Sequence, residues 1–349
     1  MPSALSAAAP APTPTRRRSL PRRLAPVVGL FVLSPICAEY LIGYDQIIGH
    51  PRELLTGLLL LAPLYGAPAL LIREITRRTG RGWPTLLLLS ATFGLILAGL
   101  VDQSLFNPDF FDDPSWAQER TPTLIPSLGI SVGHVLNFLA GHVIWSFAAP
   151  IAVVEACVPD RADEPWLGKV GTSVVVVLYL LAVLVFHHEL TRDFTASPTQ
   201  LGITATIVLA LAVSAFALPR HHSPLTKRAP SPWLLAVAAV VLLAAHQLVP
   251  STWLGSAMDV LVLISLGGLL WWWSARKQWS RLHTLAVGGA ALVVNAGLSF
   301  VVDPLGQVSY TAKYGANTVL MLMVLALLAW ARHRVRAVAS TTPAPQALR

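Results

Sequence analysis

Charge is what this chain has little of. Only 12% of its 349 residues are Asp, Glu, Lys or Arg, against about 25% in an ordinary soluble domain. Cysteine is almost absent too, with two residues, Cys37 and Cys157, each in an apolar run. A disulfide framework and a metal–thiolate site are therefore not expected. Also missing are G-x-S-x-G, a Walker loop, HExxH, CxxC and DDxxD, which removes the familiar hydrolase, nucleotide and zinc-peptidase signatures. His187-His188-Glu189 is too short to serve as a zinc motif.

What is present is hydrocarbon. The composition is 54% hydrophobic and mean hydropathy is +0.63. Apolar runs of about 20 residues fit the thickness of a bilayer. The expected fold is an all-α, polytopic transmembrane bundle with ten spans: 24–43, 54–73, 83–101, 131–157, 167–187, 201–218, 233–249, 254–274, 284–302 and 317–333. Residues 1–23 read as a disordered, basic N-terminal segment and 334–349 as a tail. The first span follows five arginines and has no small-x-small cleavage site, so it reads as an uncleaved signal anchor. Pro150 is expected to kink the long fourth span or to split it into two partial spans.

The net charge of +8 would suggest nucleic acid in a soluble chain, but here it follows the membrane. With the N-terminus inside, 21 of the 25 basic residues fall in inner segments, leaving Arg52, Arg120, Arg192 and Lys313 outside. That bias is the positive-inside pattern, and it places both termini in the cytoplasm. The bilayer is then the expected partner, with no nucleic acid. The largest outer loop, 102–130, mixes aromatics, prolines and acids and is expected to fold back over the outer face.

Ionisable side chains inside hydrocarbon are costly and mark candidate sites. Glu39, Asp102, His134, His142 and Asp259 are the candidate catalytic groups. Tyr40, Asn107, Asn137, Trp145, His246, Asn295 and Asp303 are candidate substrate-binding groups. Nearly all fall in the outer half of the bilayer and are expected to line one outward-facing cavity. His134, Asn137 and His142 recur at i, i+3 and i+8, on one side of a helix. His134 and His142 would stand about 12 Å apart along its axis, too far to share one ion, so no metal and no cofactor is expected. The bland alternative is interhelical hydrogen bonding, or helix capping for the carboxylates near the water boundary. Arg73, Glu74, Arg77 and Arg78 read as an inner helix end with an i, i+4 ion pair, phosphate binding being the alternative.

The stretches PLYGAPALLIREITRRTGRGWPTLLLL, GLVDQSLFNPD and GHVIWSFAAPIAVVEA resemble a family of uncharacterised polytopic membrane proteins of actinomycetes, over residues 34–160. More distantly the chain is similar to the CAAX-protease-like intramembrane metalloproteases. That family's paired catalytic glutamates are replaced here by Leu97-Ala98, so the resemblance implies at most a degenerate core. A looser similarity in size and hydropathy links it to membrane-bound terpenoid cyclases. Three functions stay open. One is an enzyme acting on a lipidic or isoprenoid substrate, most specifically by acid-initiated cyclisation. The second is a proton-coupled transporter, and the third a non-catalytic membrane protein.

Overall fold

A computed structural model describes residues 19–110, 115–219 and 225–341. The first 18 residues, residues 111–114, the link at 220–224 and the last eight residues of the expected tail lie outside it. Ten apolar helices run through the described residues: α1 (Leu20–Tyr40), α2 (Pro51–Arg78), α3 (Trp83–Val101), α4 (Val132–Cys157), α5 (Lys169–Leu190), α6 (Pro198–Ala217), α7 (Pro232–Gln247), α8 (Trp253–Ser274), α9 (Arg281–Leu298) and α10 (Tyr310–Thr341). Nine are long and apolar enough to cross a bilayer, and α7 is shorter. Two tail expectations are corrected. Helix already begins at Leu20, inside the segment read as disordered, and α10 runs on to Thr341 through residues read as tail.

The path of α7 follows from its flanks. Strand β1 (Leu225–Arg228), just before α7, pairs in parallel with β2 (Arg276–Lys277), just after α8. Since both strands lie at one face and α8 spans, α7 must make the return crossing. Chain ends converge in the same way. Arg161 donates to the carbonyls of Arg22 and Arg23 in α1, and Arg334 of α10 donates to that of Cys157. Arg281 pairs with Asp163 at 2.5 Å. The starts of α1 and α9 and the far half of α10 therefore share one basic face.

The core sits between α1, α2, α3, α4 and α9. Helices α2, α3, α4 and α9 are more than half buried, whereas α5, α6, α8 and α10 are largely exposed. Exposed valines and leucines along those outer helices are the surface that lipid would cover. Cys37 and Cys157 are both free and buried.

Four of these helices carry π-helical segments: Ile36–Tyr40 in α1, Ala62–Gly66 in α2, Leu97–Val101 ending α3 and His142–Ala148 in α4. Proline explains three of them. Pro35, Pro68 and Pro150 flank the first, second and fourth segments, and Pro63 lies inside the second. A proline removes the N–H owed to the carbonyl four residues earlier. For Pro150 that carbonyl belongs to Ser146, and Ser34 donates to it from α1. For Pro35 it belongs to Phe31, and Gly66 packs so tightly there that a Cβ would sit 2.1 Å from Phe31 O. The fourth span is thus one helix with a π-segment before Pro150, rather than two partial spans.

Candidate functional site

Each π-segment delivers one member of a polar cluster at the end of the bundle opposite the basic face. Glu39 comes from the first, Tyr65 from the second, Asp102 directly follows the third, and His142 opens the fourth. The Glu39 carboxylate accepts hydrogen bonds on both oxygens, from Tyr65 on one and Tyr44 on the other. The Tyr65 ring lies 6.1 Å from the His142 ring, and His142 Nδ1 is 3.2 Å from Ser146 Oγ. Gly94 makes room for this histidine, since a Cβ there would lie 2.6 Å from His142 Cβ.

Asp102 is set by a tight turn. Its Oδ1 accepts from Ser104 N at 2.8 Å, and Gln103 adopts φ +56, a left-handed conformation uncommon for a side chain of that size. Gln103 is held there by accepting from Ala196 N at 2.6 Å, which ties α3 to the α5–α6 loop. Burial pushes the Asp102 carboxyl up to about 7; hydrogen bonds from Ser104 oppose that, and the charge of Glu39 adds to it. Tyr44, in the loop after α1, has its phenol pushed well above the usual range by burial and by Glu39, so it remains a donor.

The other sequence candidates divide among separate places, which corrects the expectation of one cavity. Tyr40 donates to Leu54 O at 2.9 Å and pins α1 to α2. His134 packs 4.5 Å from Trp116, whose indole donates to Asn107 O. Asn107 enters that contact by its backbone. With Arg120 donating to Gly129 O at 2.8 Å, these contacts fold the outer loop onto the start of α4, as its composition suggested. Asn137 is exposed. Trp145 stacks on His246 at 5.7 Å and 13°, and His246 Nδ1 meets Asp259 Oδ1 at 2.7 Å. Gln247 donates to Asn295 Oδ1 at 2.9 Å. Asp303 accepts from Tyr310 at an exposed edge. The i, i+3, i+8 set on α4 does not act as one site, because Asn137 is exposed while His134 packs on the outer loop and His142 beside Tyr65.

Sequence reasoning missed Tyr44 and Tyr65, the two donors to Glu39. The signal was the prolines, which mark where helices depart from α geometry. It also under-read the basic face. Arg73 is fully buried, with Nη1 3.0 Å from Glu74 and Nε 3.1 Å from Glu155. Its Nη2 donates to Ala162 O and Glu164 O, and its guanidinium lies 3.3 Å over the Trp166 ring. Arg77 grips Glu155 through two bonds of 2.8 and 2.6 Å. These cations are consumed by protein groups, so the arrangement is a staple between α2, α4 and the 158–167 loop, which removes the reason to assign it phosphate.

Among the described residues no group of three or more His, Cys, Asp or Glu side chains could hold a metal ion. A model of an uncharacterized membrane protein family matches residues 29–346. No curated protein and no solved structure matches the chain.

Proposed function

We propose that this chain, which belongs to the uncharacterized membrane protein family and is an integral membrane protein, works as a membrane-embedded acid–base enzyme on a lipidic or isoprenoid substrate. The observation that carries the reading is the convergence of four π-segments on Glu39, Tyr65, Asp102 and His142. π-Segments are rare and cluster at functional sites, because the wider turn re-aims side chains and frees backbone groups. Four in adjacent spans is a costly way to build mere packing.

The chemistry divides between the carboxyls. Asp102, with its pKa about 7, is partly protonated at neutral pH and is the proton donor. Glu39, already accepting from two phenols, is the acceptor, and Tyr65 or Tyr44 relays the returning proton. His142, beside Tyr65, positions that phenol. Acid-initiated cyclisation of a polyprenyl chain is the narrowest version of this reading. The buried acids and the apolar setting support it.

The test is a lipid-extract profile of cells carrying wild type, a deletion, Glu39→Gln, Asp102→Asn or His142→Ala. A product lost on deletion, and reduced at least about 100-fold in Glu39→Gln and Asp102→Asn, is expected from the usual worth of a general acid or base. An unchanged profile, together with proton-driven uptake by loaded vesicles, would overturn the enzyme in favour of a transporter. An unchanged profile without uptake would favour the non-catalytic reading.

A further inference from the structure

The enzyme reading uses the end of the bundle that holds Glu39 and leaves the opposite, basic face without a role. At that face the β1–β2 ribbon sets four cations, Lys227, Arg228, Arg276 and Lys277, within two short strands. Arg228 and Lys277 are register partners, and like charges set opposite each other on neighbouring strands repel. Among the described residues none of the four has a carboxylate partner. Arg281, only four residues after Lys277, pairs with Asp163.

The ribbon is nevertheless held firmly. Ala229 N donates to Lys277 O at 2.8 Å. Behind it, Ser280 N donates to His283 Nδ1 at 3.1 Å, and His283 Nε2 lies 2.8 Å from Pro230 O. Trp279 stacks on the same ring at 4.9 Å. Unmatched like charges fixed side by side are unfavourable, and a bound anion would remove the repulsion.

The setting identifies the anion. Strand β1 leads into α7 and β2 follows α8, so the ribbon sits at the ends of two spanning helices. Trp233 in the first turn of α7, and Trp271 and Trp272 in the last turn of α8, are exposed. Exposed tryptophans at helix ends mark the headgroup layer of a bilayer. The Arg276 guanidinium lies 4.3 Å over the Trp272 ring, and its Nε is buried without a hydrogen-bond partner. An aromatic face, not an acid, therefore holds this cation at the interface.

We propose that the ribbon is a docking site for the headgroup of an anionic phospholipid, its phosphate between Arg228 and Lys277 and its chains along the exposed side of α8. The proposal does not rest on the enzyme reading, and Glu39 and Asp102 play no part in it.

Melting of the full-length protein in nanodiscs tests it, with phosphatidylglycerol titrated into phosphatidylcholine. Phosphatidylglycerol is expected to raise the melting temperature, and added salt to shrink the rise. In Arg228→Gln or Lys277→Gln, about fivefold more phosphatidylglycerol should be needed for half the rise, the usual effect of one cation at an anionic surface. In pure phosphatidylcholine the same variants should melt at or above the wild-type temperature, because the repulsion is relieved. A merely structural role would not produce that reversal. Arg332→Gln, which removes a charge from an exposed position on the same face, should leave the lipid response unchanged. An equal loss in Arg332→Gln would reduce the effect to diffuse charge and overturn the proposal. Equal destabilisation of Arg228→Gln and Lys277→Gln in both lipids would overturn it as well, as would inorganic phosphate reproducing the full rise in phosphatidylcholine alone. Either variant decides by itself if the other does not fold.

Discussion

Arg73 is fully buried, and its position is bearable only because Glu74, Glu155, three backbone carbonyls and the Trp166 face surround it. Removing one member of such a set leaves charges buried and unmatched, which costs about 3–5 kcal/mol. Arg73→Ala is therefore expected to lower thermal stability in detergent sharply. Arg52→Ala, at an exposed helix start, should have almost no effect. Equal melting temperatures for the two variants would refute the staple. Asp102 makes a pH-dependent prediction. Its folded pKa, about 7, is above the ordinary carboxyl value near 4. Between those values the folded state holds more protons than the unfolded state, so stability falls as pH rises from about 4 to about 7. Asp102→Asn retains the oxygen that accepts from Ser104 and cannot ionise. Its melting temperature should match the wild type near pH 4 and exceed it at pH 8. A constant difference across that range would count against the assignment.

At the scale of the helix, the decisive feature is a break in α periodicity. Gly66 shows how little room it leaves. A methyl group there would meet the Phe31 carbonyl at 2.1 Å, and backbone, unlike a flexible side chain, cannot swing aside. Gly66→Ala is expected to part α1 from α2 at a cost of about 3 kcal/mol or more, beyond ordinary overpacking, and to release Glu39 from Tyr65. Lower melting temperature together with lost lipid product checks it; a variant that is stable and active would show that the contact yields freely. These junctions also explain which parts of the structure were legible in sequence. Helices were readable because twenty apolar residues have few other solutions in a bilayer. Glu39, Asp102 and His142 were readable as costly polar groups, and the structure brings those three together. Tyr65 was not, because a tyrosine in an apolar run looks like packing until a π-turn aims it at a carboxylate. Helical spacing put His134 and His142 on one side of α4, but it could not show that His134 packs on the outer loop and His142 beside Tyr65. The His246–Asp259 contact joins different spans, and no periodicity within one helix could disclose it.

For the whole molecule, the sequence and the structure make one joint claim about sidedness. Basic segments from α1, α2, α4, α9 and α10 meet at one face through Arg161, Arg281 and Arg334. The opposite face holds the Tyr44–Leu305 backbone bond at 2.7 Å and the turn at Asp102. Ten crossings would put both described ends on the basic face, and the positive-inside rule predicts that this face is the cytoplasmic one. The two native cysteines are buried, so single-cysteine variants can be read against a quiet background. Asp303→Cys and Lys277→Cys sit at exposed positions at opposite ends of α9. A membrane-impermeant maleimide should label Asp303→Cys in intact cells, and Lys277→Cys only after the cells are permeabilised. The reverse pattern would invert the protein and move the Glu39–Asp102 cluster to the cytoplasmic side. Labelling of both in intact cells would mean that α9 does not cross, and the ten-helix path would fail with it, because α7 and α8 return to the strand pair from which α9 departs.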